Sequence, residues 1–354
     1  MKSIWTFIAW AILATACSDQ PGAPDVMRTL PSTGHMAHVD REVAARHGEM
    51  MEKIVGSVGR PDRDGYLGRN RRHRSFHSVR FQYGSGRALR YAVATDNEPL
   101  RREAMRAIFA GLAEIRQDGS FPATYPPPDT FEQIAKTAQR LSNEREASPS
   151  DAASAAAFFL SDACPALLST TIGPETAAIF ETALIRLSDD MNLLETQDSH
   201  APNRLLINAL AFHACGQLVD RPDLADRATR FVELAVEQLG NQGAFIEGGG
   251  TDTSYQAVSI VALSDLVTLG RDDLADYQAK ATLWLVGKLD PQGRLDSRQN
   301  TRTCASEAVF GRPKEVDLRE VYRALAYGEV QGYIALSQLK EFELWLNQKP
   351  KRCP

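Results

Sequence analysis

Apolar residues recur at helical spacing through most of the chain, and this pattern predicts an all-α protein. Convincing strands are scarce, since 75–83 alternates only in part and could equally be a helix that ends at Gly84-Ser85-Gly86. Several segments open with residues that favour a helix start. The predicted helices are Arg41–Val55, Pro99–Ile115, Thr130–Leu141, Ser150–Leu168, Glu175–Ser188, Arg204–Leu218, Leu224–Leu239, Ser254–Leu269, Asp273–Leu289 and Leu318–Trp345.

A short polar-Gly-x-apolar signature recurs between these helices. Its copies are Asp64-Gly65-Tyr66-Leu67, Asp118-Gly119-Ser120-Phe121, Gln242-Gly243-Ala244-Phe245 and Gln292-Gly293-Arg294-Leu295. The copies lie about 50 residues apart, with one longer gap, and a unit of that length holding two helices suggests stacked helical hairpins. The alternative is that these glycine turns only terminate helices.

The first residues are typical of an export signal. Lys2 precedes an apolar run over 4–14 that is too short to span a bilayer. Ala14-Thr15-Ala16 before Cys17 resembles the lipobox of bacterial lipoproteins, although Leu13 lies one position further from the cysteine than the usual leucine. Ser18 resembles the pattern for outer-membrane retention. Cleavage by an ordinary signal peptidase, which would leave the protein soluble, is the alternative.

These features predict a domain organisation and a location. We expect a signal peptide over 1–16, a lipoprotein tether over 17–38, one helical domain over 39–346 and a tail over 347–354. Lipidated Cys17 would attach the protein to the cell envelope, most simply as an outer-membrane lipoprotein. No later segment is long and apolar enough to cross a membrane.

Net charge, cysteine spacing and the absence of known motifs restrict the classes of partner and cofactor expected for this chain. A formal net charge of −5 argues against a general nucleic-acid binder. The four cysteines beyond Cys17 could form up to two disulfides in any of three pairings, or one bridge with two buried thiols. Their spacing fits no zinc motif, and no phosphate loop, HExxH, EF-hand or GxSxG pattern occurs. We therefore expect neither a metal nor a cofactor.

The most informative window is 243–256. Gly248-Gly249-Gly250 is followed by Asp252-Thr253-Ser254, residues that cap helices. Helical hairpins joined by such Gly turns, together with this window, resemble the α/α-toroid carbohydrate-active enzymes, which include polysaccharide lyases and six-hairpin glycoside hydrolases. The resemblance spans about residues 42–339 and implies an α/α toroid whose loops form a binding rim. Terpene cyclases and prenyltransferase subunits share that fold, so the fold alone does not define the function.

The resemblance implies an acidic polysaccharide as substrate. Lyase chemistry on a uronate needs a group that neutralises the carboxylate, a base for the C5 proton and an acid for the leaving oxygen. Tyr255 and His200 are the candidates for proton transfer. The candidates for substrate binding are Asn203, Arg204, Arg80, Asn300, Arg302 and Lys314.

A glycoside hydrolase is the second hypothesis, because Glu247 and Asp252 could supply two carboxyl groups, with Asp198 or Asp162 as a more distant partner. A non-catalytic envelope lipoprotein that binds a glycan or a protein is the third. Simpler structural roles also remain open: Asp252 could only cap a helix, Glu247 could only close a turn through an ion pair, and Tyr255 could be a core aromatic.

Two further groups have structural alternatives of their own. His213 lies in an apolar helix and is expected to be a core histidine. The basic cluster over 69–74 could grip an anionic glycan or lipid, or could simply be a solvated helix end.

Overall fold

The chain folds almost entirely into helices, as the all-α prediction requires. The computed structural model describes residues 33–125, 146–304, 308–309, 312–348, 350 and 353. The predicted helix Thr130–Leu141, the signal segment and Cys17 lie outside these residues. The α-helices are α1 Thr33–Gly56, α2 Gly68–His73, α3 Ser85–Ala94, α4 Glu98–Leu112, α5 Pro149–Leu167, α6 Pro174–Asp189, α7 Met191–Asp198, α8 Pro202–Leu218, α9 Pro222–Ala225, α10 Arg227–Val236, α11 Thr253–Thr268, α12 Ala275–Val286, α13 Leu318–Val330 and α14 Leu336–Asn347. Short 3₁₀ turns cover Val79–Gln82 and Asp272–Leu274, and a small antiparallel pair joins β1 Ala308–Val309 to β2 Arg312–Pro313.

Six of these helices contact one another in a closed cycle. The order is α1, α3, α5, α8, α11 and α13, and α13 returns to contact α1. We call these the ring helices. The outer helices pack on them from outside: α4 lies on α3, α6 on α5 and α8, α10 on α8, α12 on α11, and α14 on α13. Within the described part of the chain, this arrangement amounts to five helical hairpins plus α1.

Helix α1 closes the ring in the opposite direction to its two neighbours. Asp40, near its start, contacts Arg90 and Tyr327 toward the ends of α3 and α13. Val58, just beyond its end, lies against Gly84 at the start of α3. A kink at His47, where φ is −129°, lets α1 change direction midway.

The glycine turns of the repeat share one geometry, which favours a true repeat over unrelated helix stops. In each turn a glycine with positive φ donates its N–H to a carbonyl three residues earlier: Gly65 to Asp62, Gly119 to Arg116, Gly243 to Gly240 and Gly293 to Asp290. In each, an added β-carbon would lie within 2.6 Å of an atom of an outer helix, namely α4, α6, α12 and α14 in turn. The glycines are therefore required for close packing as well as for the turn.

Two glutamines extend this equivalence. Gln82 donates to the carbonyls of Gly65 and Ala107 at 2.9 and 2.8 Å. Gln256 donates to those of Gly243 and Ala281 at 2.9 and 3.0 Å. Both glutamines are buried, so each satisfies backbone oxygens at the junction of a turn and an outer helix.

The structure corrects several predicted elements. The segment 75–83 is mostly loop with a 3₁₀ turn, and Gly84-Ser85-Gly86 starts helix α3 instead of ending one. Gly86 is needed there for packing, because a β-carbon on it would strike the Asp162 carbonyl of α5. The predicted helix Leu318–Trp345 is two helices, since Gly332 takes a positive φ between α13 and α14. Leu224–Leu239 likewise divides into α9 and α10, and α7 was not predicted.

Candidate functional site

The triple-glycine loop and the loop after α12 meet at the start of α11. Thr301 donates its N–H to the Thr251 carbonyl at 3.0 Å and its hydroxyl to the Glu247 carbonyl at 3.2 Å. On the other side, the Gly248 N–H donates to the His200 carbonyl at 3.4 Å. The Asp317 N–H, just before α13, donates to the Ser254 hydroxyl at 3.0 Å. Loops that are distant in sequence therefore share one rim, formed where α8, α11 and α13 begin.

Asp252 is the helix cap at the centre of this junction. One carboxylate oxygen accepts from the N–H groups of Ser254 and Tyr255, and the other accepts from those of Arg302 and Thr303. The side chain is 1 % exposed. These contacts give Asp252 a structural role in joining the loop to α11, and backbone N–H groups occupy both of its oxygens.

The Asn300 side chain makes three hydrogen bonds at the same junction. Its side-chain oxygen accepts from the Thr253 N–H at 3.0 Å, and its amide donates to the hydroxyls of Thr253 and Thr303. A substrate would have to displace these bonds to reach Asn300, so the structure favours a positioning role for this residue.

Glu247 forms an ion pair with Arg302 at the rim. Its side chain is 3 % exposed, and its second oxygen, Oε2, has no partner among the described residues. Burial raises the pKa of Glu247 to about 7, and the opposing effects of Arg302 and Arg204 only partly offset it. A carboxyl group with such a pKa exchanges its proton near neutral pH, which suits acid–base chemistry.

Tyr255 lies between two cations. The Arg302 guanidinium is 4.5 Å from the centre of its ring, and the Lys314 ammonium is 4.3 Å from it. Lys314 also donates a hydrogen bond to the Tyr255 hydroxyl. Because that oxygen accepts from Lys314, its own proton is free to be donated to another oxygen. Lys314 is exposed and Tyr255 is partly so, which makes this group accessible to a ligand.

The start of α8 supplies the other side of the rim. Arg204 pairs with buried Asp198 at 3.1 Å, and Asn208 donates to the second Asp198 oxygen at 3.0 Å. Arg80 lies 3.8 Å above the Phe158 ring, and burial together with the nearby Arg204 charge lowers the pKa of Arg80. Asn203 is buried, whereas His200 is exposed.

The structure thus gathers the predicted residues at one end of the ring, with Arg80, Arg204, Arg302 and Lys314 contributing cations.

Of the charged residues deeper inside the ring, the sequence pointed only to Asp162, as a more distant carboxylate for hydrolysis. A pocket on its axis is lined from five ring helices, with Arg87 on α3, Asp162 on α5 and Glu320 and Arg323 on α13 among its walls. Charged residues on otherwise apolar helices could have indicated this pocket, but α3 was not predicted to be a helix.

No protein-family model matches the chain, and no curated protein or solved structure does either. Across the described residues, no helix has the length and apolar character needed to cross a membrane. The same part of the chain holds no group of three or more histidine, cysteine or acidic side chains arranged to bind a metal ion.

Proposed function

We propose that this protein binds and cleaves an acidic polysaccharide at the rim, by β-elimination next to a uronate. The observation that carries this proposal is the placement of Tyr255 between Arg302 and Lys314, with its hydroxyl accepting from Lys314. A tyrosine whose proton is free, flanked by two cations, offers both a proton donor and neutralisation of a carboxylate.

The fold we propose for the domain is an α/α toroid. The closed cycle of ring-helix contacts and the outer helices packed around it support this interpretation. So do the equivalent glycine turns, because a toroid is built from repeated hairpins. The reversed direction of α1 makes this toroid one of five hairpins with a closing helix in the described residues.

The proposed reaction assigns a role to each group. Arg302 and Lys314 pair with the uronate carboxylate and stabilise the negative charge that develops when C5 loses its proton. A base, for which exposed His200 is the candidate, takes that proton. The electron pair forms the C4=C5 double bond, the C4–O bond breaks, and Tyr255 donates its proton to the departing oxygen. Glu247 holds the Arg302 guanidinium in place.

Glycoside hydrolysis is the second candidate, and one observation favours it. A pKa of about 7 keeps about half of Glu247 protonated at neutral pH, as a general acid requires. Asp252 is occupied as a helix cap, so the second carboxylate in this scheme would be Asp198, which is itself held by Arg204 and Asn208.

Export to the cell envelope, with lipid attachment at Cys17, is the location we propose. Two disulfides support an oxidising compartment: Cys164–Cys215 joins α5 to α8, and Cys304–Cys353 joins the rim loop to the C-terminal tail. A rim that faces the envelope space would meet glycans there.

The test is incubation of the purified protein with uronate polysaccharides, while two signals are recorded. Absorbance of an unsaturated uronide that rises with new reducing ends supports β-elimination. New reducing ends without that absorbance support hydrolysis, and binding without either signal supports a non-catalytic glycan-binding role.

Variants assign the residues. Tyr255→Phe removes only the hydroxyl, so we expect kcat to fall by about 10²- to 10⁴-fold. Arg302→Gln tests the cation proposed to bind the uronate carboxylate. Its matched control is Arg298→Gln, because Arg298 lies in the same loop but is exposed and pairs with Asp296. Full activity in Tyr255→Phe would refute the role proposed for Tyr255.

A further inference from the structure

Arg80 is held by an aromatic ring and has no acid of its own. Its guanidinium carbon lies 3.8 Å from the centre of the Phe158 ring, and that ring packs edge-on against Tyr83. The guanidinium makes neither an ion pair nor a hydrogen bond to any other described residue. Arg80 is partly exposed, and solvent reaches its guanidinium nitrogens.

The contact with Phe158 fixes this group without using its donors. A guanidinium is planar, and its N–H bonds point outward in that plane. A cation that lies over an aromatic ring uses the flat face of the ring, so the N–H groups at the edge of Arg80 stay available. A fork of N–H donors held in one plane suits a carboxylate, which accepts two parallel hydrogen bonds from it.

Two acids lie near Arg80, and both are engaged elsewhere. Asp198 is fully buried and pairs with Arg204 at 3.1 Å, and Asp151 accepts from the Tyr125 hydroxyl at 2.7 Å. These acids match the two arginines in number, so the cluster holds no surplus of positive charge. Burial and the Arg204 charge nevertheless lower the pKa of Arg80, and the two acids only partly offset this effect. An anion in direct contact with Arg80 would therefore stabilise its charge.

Arg80 faces the same opening as Tyr255. The axial pocket identifies the inward faces of the ring helices, because Asp162 on α5 and Val258 on α11 line it. Phe158 precedes Asp162 by four residues, and Tyr255 precedes Val258 by three. Each therefore lies on the inward face of its helix, one turn nearer the rim.

Arg204 lies between these two positions. It belongs to α8, which contacts α5 on one side and α11 on the other. Its charge affects the pKa of Arg80 and also that of Glu247, the partner of Arg302. Because such effects weaken with distance, Arg204 is close to both groups. Cations thus follow the rim from Arg80 to Arg302, which matches a ligand with repeated negative charges.

We propose that Arg80, held on Phe158 beside Arg204, binds a second carboxylate of the same polysaccharide. The substrate is then a polyuronate with several acidic residues within the length that the rim covers, and not a glycan whose uronates are isolated by long neutral stretches. This subsite rests on the proposed function, because it extends the ligand of that site, but it requires only binding and no cleavage.

Calorimetric titration of Tyr255→Phe tests the subsite, because that variant should bind the polymer without cleaving it. The probes are oligomers of galacturonate and of mannuronate, each compared with its monomer and with its methyl ester, which has no carboxylate charge. We expect an oligomer to bind more tightly than its monomer. Adding Arg80→Gln should weaken oligomer binding about tenfold and leave the monomer and the ester unchanged.

Controls separate this site from general electrostatics and from structural damage. Arg74→Gln is the matched control, because Arg74 is an exposed arginine outside this group, and its oligomer binding should not change. Thermal unfolding should show Arg80→Gln to be about as stable as its parent, since burial disfavours the Arg80 charge. Should Arg80→Gln fail to fold, Arg80→Lys decides the outcome, because it keeps the charge but loses the planar fork and should bind several-fold more weakly.

The subsite is overturned if Arg80→Gln binds the oligomers as its parent does, if Arg74→Gln loses as much affinity, or if no oligomer binds more tightly than its monomer. Cleavage assays keep this outcome apart from that of the proposed function. Oligomer binding that depends on Arg80, without cleavage by the wild type, retains the subsite and refutes the reaction. Cleavage with the same KM in the wild type and Arg80→Gln retains the reaction and overturns the subsite. If both are correct, KM should rise about tenfold in Arg80→Gln and kcat should change little.

Discussion

Thr301 packs directly over Gly250, so that its Cγ2 methyl lies 2.1 Å from the position a β-carbon on Gly250 would take. The next atom, Thr301 Cβ, is 3.3 Å from that position. This contact fits the triple-glycine loop to the loop that carries Arg302. Glycine at position 250 is therefore required by the neighbouring side chain, and the collision can be relieved from either partner.

Gly250→Ala should separate the two loops. We expect it to destabilise the protein by about 1–3 kcal/mol, as overpacking does, and to lower activity because Arg302 moves away from Tyr255. Adding Thr301→Ser removes the colliding methyl and should restore most of both losses. Urea unfolding and activity assays of the single and double variants measure this coupling. Gly56→Ala, with nothing within 4 Å, is the control; equal losses with and without Thr301→Ser would contradict the interpretation.

The stability of the protein should depend on pH through Glu247. Its pKa rises from 4.5 to about 7 on folding, so between these values the folded state binds more protons than the unfolded state. Stability from this group is present below pH 4.5 and is lost as the pH rises toward 7, by up to about 3 kcal/mol.

Glu247→Gln isolates this effect, because glutamine does not titrate. Relative to the wild type, the variant should gain stability as the pH is raised from 5 to 8. Urea unfolding at several pH values measures the difference, which would remain constant if burial did not shift this carboxyl group.

Asp252 should matter for stability more than an ordinary helix cap. Asp252→Ala removes the acceptor for four backbone N–H groups in a buried setting, and we expect a loss of about 2–4 kcal/mol. Asp317→Ala is the matched control, since Asp317 caps α13 from an exposed position and accepts from Arg319 and Glu320. That variant should lose about 1 kcal/mol. Similar losses in the two variants, measured by thermal or urea unfolding, would argue against the central role of Asp252.

The two disulfides should differ in their sensitivity to reduction. Cys164 and Cys215 are fully buried between α5 and α8, whereas Cys304 and Cys353 are partly exposed. Mild reductant without denaturant should therefore open Cys304–Cys353 first and lower activity, because Cys304 lies two residues beyond Arg302. Alkylation followed by mass spectrometry gives the order of reduction. Simultaneous opening of both bridges would show that exposure does not decide the order of reduction.

Much of the fold could be predicted from the apolar pattern, because the outer helix α10 buries one face and the ring helices α5, α8 and α11 are apolar and buried on nearly every side. Helix α3 was missed for a physical reason. In sequence, glycines that begin a helix look the same as glycines that end one. Only the close approach of Asp162 shows that Gly86 is needed for packing. The division of Leu318–Trp345 depended on the single positive φ of Gly332.

The rim was predictable in part because Gly-rich and polar loops between helices attract functional residues. Sequence placed Tyr255, Arg302 and Lys314 among the candidates, and the structure brings these three into contact. It could not separate the structural role of Asp252 from a chemical one, since both need an acid at the same position. Nor could it identify Arg87 or Arg323, whose meaning comes from contacts between helices far apart in the chain.

Arg90 binds Asp40 on α1, Asp265 on α11 and, through Tyr327, α13. The Tyr327 hydroxyl donates to Asp40 across 287 positions of sequence. These contacts thus close the ring by joining the beginning of the domain to its end. A growing chain cannot complete this cluster of ion pairs and hydrogen bonds until α13 has been synthesised. Contacts between residues so far apart in sequence slow folding.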